Sequence, residues 1–126
     1  CVEKHIPCFG VCLGLQGMVQ AFGGELDLLH YPMHGKPSMV SNSRNGIFEG
    51  FPEEFRAGRY HSIYARREAL PDCLAVTAET KDGVIMGIQH KELPYAAVQF
   101  HPESILTLRG KLGLKLIHNV LQSLAK

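Results

Sequence analysis

Ile6-Pro7-Cys8-Phe9-Gly10-Val11-Cys12-Leu13-Gly14-Leu15-Gln16, residues 6–16, is the stretch on which the fold turns. Residues 6–12 are short and mostly apolar, with a proline near the start. Such a run suits a central parallel strand better than an amphipathic one. From 13 to 22 the apolar residues Leu15, Met18, Val19 and Phe22 recur at helical spacing, and Gly23-Gly24 supply a helix stop. The stretch therefore predicts a strand that passes through a tight turn at Cys12 into a helix. A side chain on such an elbow points outward at the carboxyl end of the sheet. Small residues two positions to either side let strand and helix approach closely.

Beyond this unit, residues 25–64 are punctuated by Pro32, Gly35, Pro37, Asn45-Gly46, Gly50, Pro52 and Gly58. They read as short strands and long turns over the sheet edge. Asp72 to Thr80 and Val84 to Gln89 flank Lys81-Asp82-Gly83, and Asp-Gly between two such runs predicts a hairpin. Tyr95 to Phe100 reads as a further strand, ending at His101-Pro102-Glu103-Ser104. Residues 108–125 place Leu112, Leu116, Ile117, Val120, Leu121 and Leu124 on the apolar side of an amphipathic C-terminal helix. There is no internal repeat, low-complexity stretch or interdomain linker.

The 126 residues suffice for one domain with a single core, and 45% hydrophobic with 20% charged residues is ordinary for a soluble globular protein. Thirteen basic and twelve acidic residues give a formal charge of +1, without a basic block or acidic tail. Neither nucleic acid nor membrane is suggested as a partner, and no apolar run reaches the length of a membrane span. The N-terminus lacks the pattern of a signal peptide. The four cysteines, at 1, 8, 12 and 73, form no CxxC pair and read as reduced thiols of a cytoplasmic protein. The chain begins with Cys1 and enters a strand almost at once, so it is expected to be cut from a longer one.

Two features carry chemistry. The first is Gly10-Val11-Cys12-Leu13-Gly14. The start of the following helix places positive partial charge near the sulfur, which favours thiolate. Its free N–H groups, beginning with that of Leu13, can stabilise an oxyanion. Taken alone, the motif leaves a buried cysteine in a Gly-rich turn equally open. The second is His101-Pro102-Glu103 after an apolar strand. Extended geometry before the proline would turn His101 and Glu103 to one side, letting Glu103 orient the imidazole while His101 takes the thiol proton. Alone, this could be a helix N-terminal turn with a solvated carboxylate. Together, both fall at the carboxyl ends of strands, where open α/β sheets place their sites.

Gly10-Val11-Cys12-Leu13-Gly14-Leu15-Gln16 resembles the nucleophile motif of class I (triad) glutamine amidotransferases, and Val98-Gln99-Phe100-His101-Pro102-Glu103-Ser104 resembles their His/Glu motif. Met33-His34-Gly35-Lys36, Gly58-Arg59-Tyr60-His61-Ser62, Ala78-Glu79-Thr80 and Leu93-Pro94-Tyr95-Ala96-Ala97-Val98 look like the anthranilate synthase branch. Residues 15–18 and 21–26 look most like forms fused behind the synthase in one polypeptide. The resemblance spans essentially the whole chain. It implies a flavodoxin-like α/β fold, with an open, mainly parallel sheet flanked by helices, truncated at the N-terminus. Residues 1–126 would be the C-terminal portion of one amidotransferase domain.

By that resemblance Cys12 attacks the amide of L-glutamine, a thioester forms, ammonia leaves and water releases glutamate. His101 is the base and then the acid, Glu103 its orienter, and Leu13 an oxyanion donor. Gln16 matches a substrate-holding position one helical turn after Cys12. Ser62 and Ile63 match the segment whose backbone receives the substrate's α-amino and α-carboxyl groups. The ammonia would go to a chorismate-binding synthase domain or subunit in tryptophan biosynthesis, a lyase reaction. No cofactor or metal is implied for this domain, whereas Mg is implied for the partner synthase. Two alternatives stay open: the aminodeoxychorismate synthase of folate biosynthesis, and a catalytically silent fragment that only binds the synthase. A generic cysteine hydrolase or a flavodoxin-like binding protein would leave Gln16 and His101-Pro102-Glu103 unexplained.

The chain departs from the family pattern twice. Many relatives have His where this chain has Leu15. The family's N-terminal portion, including a Gly/Pro-rich loop with a second oxyanion N–H, has no match here. Losing one such donor costs about 2.7–4 kcal/mol of transition-state stabilisation, and an exposed sheet edge would follow, so this piece is expected to be weakly active or inactive alone. His30 and His34 have i, i+4 spacing, but Pro32 argues against the helix a metal pair would need. His5, His90 and His118 read as surface or structural, Cys1, Cys8 and Cys73 as packing thiols, and Arg66-Arg67 as a solvated loop. Lys36 could face the synthase.

Overall fold

The computed structural model describes residues 6–28, 36–59, 63–100 and 111–124. Strand β1 (Cys8–Val11) leads through Cys12 into helix α1 (Leu13–Ala21), as the sequence predicts. There follow β2 (Leu26–Leu28), β3 (Lys36–Asn42), a 3-10 turn at Gly46–Phe48, β4 (Glu54–Arg59), β5 (Ile63–Ala65) and a second 3-10 turn at Arg67–Ala69. Strands β6 (Leu74–Thr80), β7 (Ile85–His90) and β8 (Tyr95–Val98) and helix α2 (Lys111–Leu124) complete the described chain.

Six strands form one sheet in the order β1-β8-β7-β6-β3-β4, and β2 pairs with β5 in a small antiparallel ribbon. The expected α/β class holds, but among the described residues parallel pairing is confined to β1 and β8. The other pairs of the large sheet are antiparallel, where a mainly parallel sheet was expected. The reason lies in the connections: β6, β7 and β8 are joined by short turns, which can only return a strand antiparallel. The β6–β7 turn is the expected one, with Asp82 and Gly83 at its tip and Gly83 at φ 84°. The Val84 N–H bonds the Thr80 hydroxyl at 3.1 Å, and that hydroxyl also meets the Asp82 carboxylate.

Two apolar clusters pack against opposite faces of the sheet. Leu15, Met18 and Val19 of α1 lie with Leu74, Ile85, Ile88, Tyr95 and Ala97 on one face. Leu116 and Leu124 of α2 lie with Val40, Phe48, Phe51, Phe55, Met86, Val98 and Phe100 on the other. Successive residues of β8 alternate between the clusters, and every residue of β8 is buried. Burial on both faces makes a strand read as an unbroken apolar run. The same logic accounts for the apolar run at 6–12, read from the sequence as a central strand. In the described sheet β1 is an end strand, yet Cys8 faces one cluster while Phe9 and Val11 face the other. Apolar patterning reports cover over the two faces, not neighbours along the sheet.

Helix α2 buries a narrower stripe than expected. Leu116 and Leu124 are buried and Val120 packs beside them, whereas Ile117 and Leu121 are exposed, as is Leu114. Its anchor is polar: the Asn119 amide donates to the carbonyls of Ile47 and Glu49, both at 2.9 Å. No helix among the described residues is long and apolar enough to cross a membrane.

Candidate active site

The parallel pairing of β1 with β8 sets Val11 opposite Val98, so the carboxyl ends of both strands lie side by side. Cys12 leaves one end and Gln99 the other. The Cys12 N–H extends the ladder by donating to the Val98 carbonyl at 2.8 Å. Its own carbonyl accepts from the N–H groups of Leu15 (3.1 Å) and Gln16 (3.3 Å), which makes Cys12 the cap of α1. These bonds hold Cys12 at φ 55°, ψ −99°, a left-handed conformation that costs a residue with a Cβ about 1–3 kcal/mol. Gly10 makes the elbow possible. A Cβ there would stand 2.7 Å from the Gly14 carbonyl carbon, whereas a Cβ on Gly14 would meet nothing within 4 Å. The close approach of strand and helix thus requires glycine at position 10 and not at 14.

The first-turn amides of α1 point toward the end at which Cys12 sits, and no acidic residue occupies that turn to offset their positive field. Leu13 is the first residue of α1 and is 75% exposed. Gln16 is buried one turn on. Its Nε2 donates to the Ile63 carbonyl at 3.2 Å and reaches Gln99 Oε1 at 3.4 Å. Gln99, 1% exposed, turns its own Nε2 toward Cys12 Sγ at 3.5 Å. Four residues from three distant stretches of sequence thus form one polar line from the start of β5 to the sulfur.

The structure brings Cys12, Leu13, Gln16 and Ile63 together around the elbow. Ser62, His101 and Glu103 lie outside the described residues, as do His5, His30, His34, Cys1 and the Lys36 side chain. Gln99 carried no role in the sequence reading. Its signal was an amide closing the apolar run Ala96-Ala97-Val98, where an unpaired polar group would be costly to bury. Leu15 is fully buried in the α1 cluster.

His90 is structural, as expected. Its Nδ1 accepts from the backbone N–H groups of Glu92 (3.0 Å) and Leu93 (2.9 Å), and its ring leans on Phe22 at 5.0 Å. His118 is exposed, and Cys8, Cys12 and Cys73 carry free thiols. The Arg66-Arg67 pair is more than a solvated loop. Arg66 bridges Glu25 (3.4 Å) and Glu68 (3.1 Å), while Arg67 pairs with Glu79 on β6. The Glu68 carboxyl is held below the ordinary carboxylate range, first by its own backbone N–H and then by Arg66.

Residues 1–119 match the family model for glutamine amidotransferase class-I. A protein of Azospirillum brasilense called anthranilate synthase is 58% identical over 120 residues, which are 95% of this chain and 16% of that protein. An anthranilate synthase component 2 of Methanocaldococcus jannaschii is 48% identical, covering 96% of this chain and 64% of its own. A Bacillus subtilis protein called aminodeoxychorismate/anthranilate synthase component 2 is 50% identical over 87% of this chain and 57% of its own length. This chain thus spans less than two thirds of each. Among solved structures, a Thermoplasma acidophilum protein provisionally described as belonging to a GMP synthase superposes with a TM-score of 0.84 at 27% identity, covering 98% of this chain and 60% of that one.

Proposed function

Because this chain belongs to the class-I glutamine amidotransferase family, we propose that it forms the nucleophile half of a glutaminase that feeds ammonia to a chorismate-binding anthranilate synthase in the cytoplasm. The observation that carries the reading is the elbow. Cys12 is held in a strained turn at the positive end of α1, beside the end of its parallel neighbour β8.

Sγ of Cys12 attacks the side-chain carbonyl carbon of L-glutamine, and the oxygen takes the negative charge, which the Leu13 N–H stabilises. His101 accepts the thiol proton and passes it to the departing nitrogen, so that ammonia leaves and a thioester remains. Water, deprotonated by His101, then attacks the thioester. Glutamate departs and the thiol is restored. Glu103 orients the imidazole and stabilises its charged form. Gln16 and the backbone at Ser62 and Ile63 hold the amino-acid end of the substrate. The glutaminase chemistry calls on no cofactor in this domain, and Mg serves the synthase partner. The names of the relatives support the tryptophan branch; that of the Bacillus subtilis relative favours keeping aminodeoxychorismate as a second amination product.

In the full-length protein, a glutamine-like chloroketone is expected to label Cys12, as mapped by mass spectrometry. Cys12→Ser should lower glutaminase kcat by a factor on the order of 10⁴ or more. A label on any other residue, or a Cys12→Ser variant with near-normal turnover, would sink the proposal. Identifying the amination product made from chorismate separates the two branches.

A further inference from the structure

We propose that Gln99 is a positioning residue for this chemistry, its buried amide aiming the Cys12 sulfur and fixing the orientation of the Gln16 amide. The inference rests on the reading of Cys12 as nucleophile and adds a residue to it.

The argument is one of hydrogen-bond polarity. The Ile63 carbonyl can only accept, so Gln16, 3.2 Å away, must present its NH2 group there. The same NH2 lies 3.4 Å from Gln99, which must answer with its oxygen. With its oxygen so committed, Gln99 has only NH2 to offer Cys12 Sγ at 3.5 Å. A backbone carbonyl on β5 thus determines, through two amides, that the sulfur meets a donor. A thiolate is an acceptor, so this polarity suits the reactive form. Gln99 is 1% exposed and Gln16 6%, so water does not readily replace a lost partner, and flipping either amide would set like dipoles against each other. The backbone of Gln99 is itself pinned, its N–H donating to the Met86 carbonyl at 2.9 Å.

The test uses the full-length protein at one fixed pH. Active sites are counted with the chloroketone, glutaminase kcat and KM are measured per active site, and Cys12 alkylation by iodoacetamide is timed. Gln99→Met, nearly the same size, should lower kcat about tenfold, the equivalent of one hydrogen bond to the reacting atom. It should also slow alkylation about fivefold through loss of the donor to sulfur. Gln16→Met does not touch the sulfur, yet should slow alkylation about threefold, and the double variant should be little worse than Gln99→Met, because the two amides act in series. A purely structural role for Gln99 would reduce the number of active sites and leave the kinetics of each unchanged. Gln99→Met kinetics within twofold of the parent would overturn the proposal, as would losses that multiply in the double variant. Should Gln99→Met fail to fold, an unchanged alkylation rate in Gln16→Met overturns it alone. Cys12→Ser serves as the control: if it is inactive while Gln99→Met is unaffected, this inference fails and the nucleophile stands; if it stays active, both fall.

Discussion

Cys12 occupies a conformation that a side chain pays to adopt, and the surrounding bonds leave it no alternative. Strain of that kind collects where function needs a side chain aimed outward. Cys12→Gly should therefore raise stability by about 1 kcal/mol while removing all glutaminase activity, an opposition that thermal unfolding and a turnover assay would expose together. Gly10 is the reverse case. Gly10→Ala drives a methyl to within 2.7 Å of the helix backbone, which neither partner can yield by rotating a side chain. A loss of about 1–3 kcal/mol in denaturant unfolding is expected, together with much slower labelling of Cys12 as the elbow opens. That glycine is needed at 10 and not at 14 was invisible in the symmetric motif, because the two positions differ only in what lies across from them.

Among the elements, the strand–elbow–helix unit and the β6–β7 hairpin were legible, since each is determined by neighbours in sequence: the 3.6-residue spacing of Leu15, Met18, Val19 and Phe22, and Asp82-Gly83 at a turn needing φ above zero. Helix α2 was legible in extent and in the side it turns to the core, but not in how narrow a stripe it buries. Its seat is set by Asn119, whose amide holds two carbonyls of the Gly46–Phe48 turn region. Asn119→Leu should cost about 1–3 kcal/mol, the penalty of stranding the buried Ile47 carbonyl. The shift should appear in the urea midpoint without a change in slope. Ile117→Ser, on the exposed face, should change it by less than about 0.5 kcal/mol.

Over the whole molecule, the sheet divides two cores, and the two helices cover opposite faces. Phe48, Phe51, Phe55 and Phe100 form an aromatic chain with ring centroids 5.2–5.5 Å apart along Phe48–Phe51–Phe55–Phe100. Phe100 thus ties the strand end that precedes His101 to the α2 core. Phe100→Ala should destabilise by about 3–5 kcal/mol. Because Gln99 sits beside it, the variant should also lose glutaminase activity per folded molecule, measured below its own unfolding temperature. The order β7-β6-β3-β4 could not be read from sequence, because β3 enters beside β6 from more than thirty residues away, and pairing over that span leaves no periodic trace.

The sequence by itself determined the α/β class, the elbow at Cys12 and the two motifs that identify the family. All of these rest on residue types at fixed short spacings, where local geometry follows directly from the chain. Tertiary structure alone decided that β1 lies at the end of the described sheet and that most of its pairs are antiparallel. It also decided that Gln99 belongs with Cys12 and Gln16. Residues 16, 63 and 99 meet only because β1 and β8 align in register and β5 passes the start of α1. A hydrogen bond depends on distance and direction in space, and neither is written in the separation of residues along the chain.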